Sequence, residues 1–242
     1  MMKIPARGAL AAVALACLGA NYRTANFVVQ APSADLAKQI GASAEQWRRR
    51  LALDWLGKEL PTWKRPCHVS VKAAANLAPN GRTRVWVEGN RAVVSSMDLQ
   101  GPVMRILDSV LPHEMTHAVF ATHFPSPAPR WADEGASTIV EHETQREQQE
   151  RQLAQIFLSG RGFSVAQLFA AGDDPAHAEI LYVQGYSLTQ FLLALGGKQK
   201  FIEFLQEGIA AGQWPQAAYA HYGFESLDDM QGQWVAWALP GL

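Results

Sequence analysis

Two histidines and a glutamate occur within five residues of the sequence, at His113, Glu114 and His117. On a helix the two histidines lie about 40° apart around the axis after one turn, so both imidazoles can reach one metal ion. Imidazole nitrogens suit zinc, and three protein ligands leave an open position for a water whose pKa the ion lowers toward about 7. The pattern therefore predicts a zinc site at which Glu114 accepts the proton of that water as a general base.

The residues around this motif favour a metal site over two isolated buried histidines. Positions 110, 111, 115 and 118–120 are apolar, as expected of a buried helix whose polar side chains face a site. Two imidazoles and a carboxylate would be costly to desolvate there without a partner. Pro112 is compatible with this helix if the helix begins near Asp108 or Ser109; otherwise Pro112 kinks a longer helix.

A third metal ligand is required, and three residues are candidates. His123 follows His117 at the spacing of the metzincin pattern, but the midway position is Phe120 rather than a glycine. Without a bend at that position, a continuing helix carries His123 about 120° away from His117. Glu134 begins a second apolar-periodic segment after a proline-rich connection, and it would complete a His/His/Glu set. Asp133, its neighbour, is the remaining alternative.

Residues 111–136 resemble the gluzincin metallopeptidases, most closely the peptidase MA-like domains of exported bacterial proteins, and residues 182–204 resemble them more loosely. In those proteins a Trp-x-x-Glu-Gly element after the His-Glu-x-x-His helix supplies the third zinc ligand. The matching residue here is Glu134, immediately before Gly135. The resemblance thus implies a zinc peptidase in which His113, His117 and Glu134 hold the ion.

The same resemblance implies a group that stabilises the oxyanion and an edge strand that receives the substrate. Tyr182 and Tyr186, one helical turn apart, are the candidates for the first role; packing of both rings in a helical core is the alternative. Residues 92–99, just before the active helix, are the expected edge strand. The sequence departs from thermolysin-like members at Thr138, one turn after Glu134, where they carry an aspartate. The carboxylate that orients a zinc-binding histidine is therefore not assigned.

The elements that must position these residues fall into two halves. Apolar residues at steps of three and four after Ser33 predict a helix that Gly57 ends. Short apolar stretches predict strands at 27–29, 68–71, 83–87 and 92–94, and Gly89-Asn90 predicts a hairpin between the last two. After Gly101 the pattern is helical almost throughout.

These patterns predict one α+β domain over residues 21–242, of the zincin-like two-lobe type that the resemblance implies. Residues 21–123 would form an α/β lobe with a mixed sheet and the active helix, and residues 124–242 a mainly helical lobe, with the site between them. The predicted function is zinc-dependent hydrolysis of peptide bonds in a peptide or protein substrate. The alternatives are a catalytically silent zinc-containing protein that binds peptides or serves a structural role, and a helical interaction module without metal.

Composition and the N-terminus limit where such a protein acts. The chain has 242 residues, 48% of them hydrophobic and 18% charged, which excludes disorder over the whole length. Its formal net charge of −1 gives no field that would attract nucleic acid. Residues 1–20, with Lys3 and Arg7 before a short apolar run, resemble a secretory signal peptide, and the run is too short for a permanent membrane span. We therefore expect export to the periplasm or the medium, with lipid attachment at Cys17 as the alternative; Cys67 then remains alone, without an intrachain disulfide.

Overall fold

The computed structural model describes residues 19–89, 91–172 and 174–240. Nearly all of the predicted signal peptide, including Cys17, lies outside these residues, so export remains a prediction. Over the described ranges, no helix combines the length and the apolar character needed to cross a bilayer.

The first half of the chain forms a mixed sheet, as predicted. Its neighbouring strands lie in the order β1-β2-β3-β5-β4. Strands β2, β3 and β5 run parallel to one another, whereas β1 and β4 pair antiparallel with β2 and β5. The strand bounds are β1 (Ala20–Arg23), β2 (Phe27–Ala31), β3 (Cys67–Ala73), β4 (Asn80–Glu88) and β5 (Arg91–Gly101).

Helix α1 (Ala34–Leu56) connects β2 to β3 and packs against β1 and β2. The Ser33 hydroxyl caps it by accepting a hydrogen bond from the Leu36 N–H, and Gly57 ends it, as predicted. Its buried side includes Trp55, whose ring contacts Phe120 of the active helix and Phe201 of the helical half at centroid distances of 5.4 and 5.9 Å. These aromatic contacts join the sheet half and the helical half in one core.

The expected position of the edge strand is wrong. Residues 92–99 belong to β5, which lies between β3 and β4, and the strand at the edge is β4. The hairpin explains this difference. Its second strand, β5, pairs with β3, so its first strand, β4, pairs with β5 and lies at the edge. The strand before the active helix in sequence is therefore one place inward from the edge.

The helix that carries the two histidines begins several residues before Asp108. Helix α2 (Val103–Arg105), a π-helical turn (Ile106–Val110) and α3 (Leu111–His123) follow one another without a break. Pro112 thus lies within a longer helix, where its ring would press on the carbonyl of residue 108. The wider π turn directly before it, in which the Leu111 N–H bonds to the Ile106 carbonyl, is where the chain accommodates the proline.

The second half of the chain is helical, as predicted. The α7 segment, Ala178–Ala211, is interrupted at Gly197, which has non-helical dihedral angles. Together with the sheet, these helices make the fold α+β. The remaining helices are α4 (Arg130–Ile139), α5 (Glu143–Leu158), α6 (Val165–Ala170), α8 (Trp214–Tyr222) and α9 (Leu227–Ala238).

Helices α4 and α7 approach each other so closely that their backbones touch. A Cβ atom added at Gly185 of α7 would lie 2.4 Å from the Trp131 carbonyl oxygen of α4. A Cβ atom added at Gly135 of α4 would lie 2.4 Å from the Gly185 carbonyl oxygen. Only glycine fits both positions, and this contact fixes α4 relative to α7.

We expect Gly185→Ala to destabilise the protein by about 1–3 kcal/mol, because the added methyl forces apart two helices packed through their backbones. Urea denaturation of the metal-free protein would measure the change. Gly232→Ala is the control: Gly232 lies in α9 with open space around it, so alanine there should be neutral or stabilise by up to about 1 kcal/mol. Equal unfolding midpoints for Gly185→Ala and the wild type would contradict the close packing.

Candidate metal centre

Helices α3 and α4 bring His113, His117 and Glu134 together. The Nε2 atoms of His113 and His117 are 3.1 Å apart. Oε2 of Glu134 lies 3.4 Å from Nε2 of His113 and 3.7 Å from Nε2 of His117. A tetrahedral zinc with bonds of about 2.0–2.1 Å separates its ligand atoms by about 3.3 Å. The three atoms therefore stand where the three ligands of one metal ion would stand.

The two oxygens of Glu134 have different surroundings. Oε1 is paired with Nη1 of Arg130 at 2.8 Å. Oε2 is buried and has no hydrogen-bond partner within the described residues. A buried carboxylate oxygen between two ring nitrogens is costly unless a cation or a proton lies among them. The donor set and this oxygen fit a metal ion.

The structure separates Glu134 from the other two candidates for the third ligand. His123, at the end of α3, has its Nε2 2.9 Å from the side-chain nitrogen of Gln206 and is not part of the cluster. Oδ2 of Asp133 lies 2.8 Å from Nδ1 of His117, on the side of the ring away from the cluster. Asp133 is therefore placed to orient a ligand.

Each histidine has a carboxylate at its Nδ1 atom, so that its Nε2 faces the shared position. Asp133 holds His117, with the Ser137 hydroxyl 3.2 Å from the same nitrogen. A carboxylate oxygen of Glu141 lies 2.5 Å from Nδ1 of His113. Such outer carboxylates fix the tautomer and the ring orientation of a metal-binding histidine.

Sequence reasoning did not find Glu141. The position considered from the sequence was that of Thr138, one turn after Glu134. Thr138 is buried and orients neither histidine. Glu141 comes after the end of α4, at the turn toward α5. Its spacing of seven residues from Glu134 is the only sequence signal, and the acidic residues that follow in α5 make that signal weak.

The charges of the cluster shift the pKa values of its members. Burial alone would lower the pKa of His113, but its contacts with Glu134 and Glu141 raise it to about 10. The pKa of His117 is also raised, by Asp133 and Glu134 against the effect of burial. Burial would raise the pKa of Glu134, yet the neighbouring histidines and Arg130 lower it to about 2. The cluster therefore favours an ionised carboxylate and bound cations, either protons or a metal.

Glu114 lies beside this cluster and beneath the edge strand. It is 5% exposed, and its Oε2 accepts a hydrogen bond of 2.6 Å from the Thr83 hydroxyl of β4. A Cβ atom at Gly81 would lie 2.4 Å from Oε1, so a side chain there would collide with the Glu114 carboxyl group. Strand β4 thus packs closely on Glu114 at Gly81 and holds its Oε2 atom through Thr83.

The two tyrosine candidates are in different places. The Tyr182 oxygen accepts a hydrogen bond of 3.2 Å from Nη2 of Arg130, and the residue lines the cleft. Tyr186 is 1% exposed, its hydroxyl donates to Glu150, and it is not among the residues that line the cleft. The structure brings Tyr182 into the candidate site and leaves Tyr186 in the interior.

An open cleft of about 750 Å³ runs along the cluster. Strand β4 forms one wall with residues 80–83 and 85. The opposite side is formed by α3, the start of α4, the connection at 126–128 and the start of α7. Glu114, His117, Glu134 and Tyr182 all contribute to its surface, so a ligand in the cleft would reach the cluster.

Comparison with known proteins found no matching family model, no matching curated protein and no matching solved structure.

Glu134→Ala should abolish tight zinc binding, because it removes a metal ligand. The loss of an outer partner that only orients a ligand would cost less, about 10–100-fold in affinity. His123→Ala is the matched control and should bind zinc like the wild type, since His123 contacts Gln206 outside the cluster. Titration against a competing chelator would measure both variants. Zinc lost in His123→Ala and kept in Glu134→Ala would reverse the assignment.

Zinc binding at pH 7 should release protons, because both histidines have raised pKa values and must lose a proton to bind a metal through Nε2. Affinity should therefore fall as the pH is lowered and rise as it approaches the His113 value of about 10. Glu134 adds no dependence above about pH 4, since its pKa is about 2. Calorimetry in buffers of different ionisation enthalpy would count the protons; an affinity that stays constant between pH 6 and pH 8 would contradict this account.

Proposed function

We propose that this chain is a zinc-dependent peptidase with a zincin-like two-lobe fold, as the gluzincin resemblance of residues 111–136 suggests. The observation that supports this most is the buried oxygen Oε2 of Glu134, which has no partner in the hydrogen-bond geometry of the described residues and lies 3.4 and 3.7 Å from the Nε2 atoms of His113 and His117. A cluster of this kind beside a cleft, with a further carboxylate at Glu114, has the parts that hydrolysis needs.

Zinc is the ion that the donor set suits best. Two imidazole nitrogens and one carboxylate oxygen form the ligand set of a catalytic zinc with one position open, and Asp133 and Glu141 supply the outer partners. Bound there, zinc would lower the pKa of a water and polarise the carbonyl of a peptide bond.

Glu114 would move the proton. Since the Thr83 hydroxyl donates to Oε2, Oε1, which accepts no hydrogen bond from the described residues, is the oxygen that would take a proton from the attacking water. The same carboxyl group would then deliver this proton to the amine nitrogen as the carbon–nitrogen bond breaks. Tyr182, which lines the cleft, would donate a hydrogen bond to the oxygen that becomes negative.

Strand β4 would receive the substrate. Among the described strands it pairs with β5 alone, so the backbone groups of its other side would be open to pairing with an extended peptide. Residues 80–83 of this strand line the cleft next to Glu114. A peptide added along β4 would thus pass over the proposed zinc position.

Glu114→Gln should fold and bind zinc like the wild type but lose about 100- to 10,000-fold of its turnover, since the amide keeps the size of the carboxylate without its basicity. Hydrolysis of a mixed peptide library, followed by mass spectrometry, would measure activity, with zinc content measured in the same samples. His113→Ala and His117→Ala are the contrasting variants, which should lose zinc together with activity.

The outcomes separate peptidase activity from its alternatives. Zinc without hydrolysis in the wild type would favour a silent peptide-binding or structural protein. Wild-type turnover in Glu114→Gln, or zinc loss equal to that of the histidine variants, would show that Glu114 is not the base. Purified protein that takes up no zinc would leave the helical interaction module.

A further inference from the structure

Arg130, the first residue of α4, contacts two groups of the proposed site at once. Its Nη1 atom lies 2.8 Å from Oε1 of Glu134, and its Nη2 donates a hydrogen bond of 3.2 Å to the Tyr182 oxygen. The guanidinium carbon is also 5.6 Å from the centre of the Tyr182 ring. The side chain is 35% exposed and lines the cleft.

We propose that Arg130 is a positioning residue that links Glu134 to Tyr182, so that one guanidinium sets both how the carboxylate meets the metal and how the phenol meets the substrate oxygen. This inference rests on the proposed function, in which Glu134 is a metal ligand and Tyr182 an oxyanion donor.

The first half of the link concerns Glu134. A carboxylate can bind a metal through one oxygen or through both. The ion pair with Arg130 engages Oε1 and leaves Oε2 as the oxygen that faces His113 and His117. The four-residue spacing on α4 brings the guanidinium to this oxygen. Arg130 therefore keeps Glu134 a ligand through a single oxygen, which preserves the open position that a water needs.

The second half concerns Tyr182. A phenol oxygen accepts hydrogen bonds and donates one. Because Arg130 donates to this oxygen, the phenol proton is directed away from the guanidinium. Among the described residues Glu134 can accept this proton, and a negative oxygen bound in the cleft would compete with Glu134 for it. The positive charge also favours negative charge that develops nearby. The guanidinium is planar and rigid, so the spacing between its two contacts is fixed in a way that a lysine cannot reproduce.

Cobalt-loaded protein tests this link without turnover. Visible absorption of the bound Co²⁺ reports its coordination number, which rises if Glu134 binds through both oxygens, and acetohydroxamate supplies an anionic oxygen at the metal. Arg130→Met should change the cobalt spectrum and weaken acetohydroxamate binding by about 10- to 100-fold, the loss expected of one hydrogen bond to a charged oxygen. Tyr182→Phe should weaken binding to a similar extent and leave the spectrum unchanged.

The double variant, Arg130→Met with Tyr182→Phe, tests whether the two residues act together. If Arg130 acts through Tyr182, the double variant should bind acetohydroxamate no more weakly than Arg130→Met alone, within about twofold. Arg130→Lys should restore much of the spectrum, since an ammonium can pair with Oε1, but little of the acetohydroxamate affinity. The matched control is Arg49→Met on α1, which removes an exposed ion pair with Glu59. It should change neither the cobalt spectrum nor the acetohydroxamate affinity.

Unchanged spectrum and affinity in Arg130→Met would overturn the proposal, and so would losses that multiply in the double variant. A chain that binds no cobalt would overturn it together with the metal centre. Absence of peptide hydrolysis is a separate result: it would remove the proposed function, while the spectrum and the acetohydroxamate affinities would still decide whether Arg130 links the two residues.

Discussion

The free-energy cost of burying the ionised carboxylate of Glu134 determines how the candidate site is arranged. Glu134 is 1% exposed, and its Oε2 atom finds no hydrogen-bond donor among the described residues. An isolated ionised carboxylate in such a place would cost several kcal/mol. Three cationic or protonatable groups surround it instead, namely His113, His117 and Arg130. A metal ion bound by Oε2 and the two Nε2 atoms satisfies all of these groups together, which is why the rest of the site is best understood from this oxygen.

The fold supplies what such a cluster needs, which is rigidity. Helix α4 carries Glu134, and the contact of Gly135 with Gly185 fixes α4 against α7, the helix that carries Tyr182. Helix α3 carries His113 and His117 and packs through Phe120 on Trp55 of α1. The three candidate metal ligands therefore lie on two packed helices, whereas Glu114 is held from the side of the sheet by Thr83.

The sequence was sufficient where chemistry and local pattern coincide. The His113/His117 pair and the mixed sheet could be predicted, because each depends on helical periodicity, ligand chemistry or turn residues. The preference for Glu134 over Asp133 rested instead on the resemblance of residues 111–136 to the gluzincins. The edge position of β4 and the contact of Glu141 with His113 could not, since both are set by pairing and packing between distant elements. The division between Tyr182 and Tyr186 likewise depends on packing between distant elements: the cleft meets only the start of α7, and one turn further along the Tyr186 hydroxyl bonds to Glu150 of α5. Two tyrosines one turn apart give the same local signal.

X-ray absorption at the zinc edge of the purified, zinc-loaded protein tests the central claim most directly. We expect one zinc per chain, with two imidazole nitrogens at about 2.0–2.1 Å, one carboxylate oxygen at about 2.0–2.2 Å and a fourth light-atom ligand from solvent. The same spectrum recorded on Glu134→Ala should lose the protein oxygen, or the zinc altogether. Sulfur among the ligands, a third imidazole in place of the carboxylate, or no stoichiometric zinc would contradict the account.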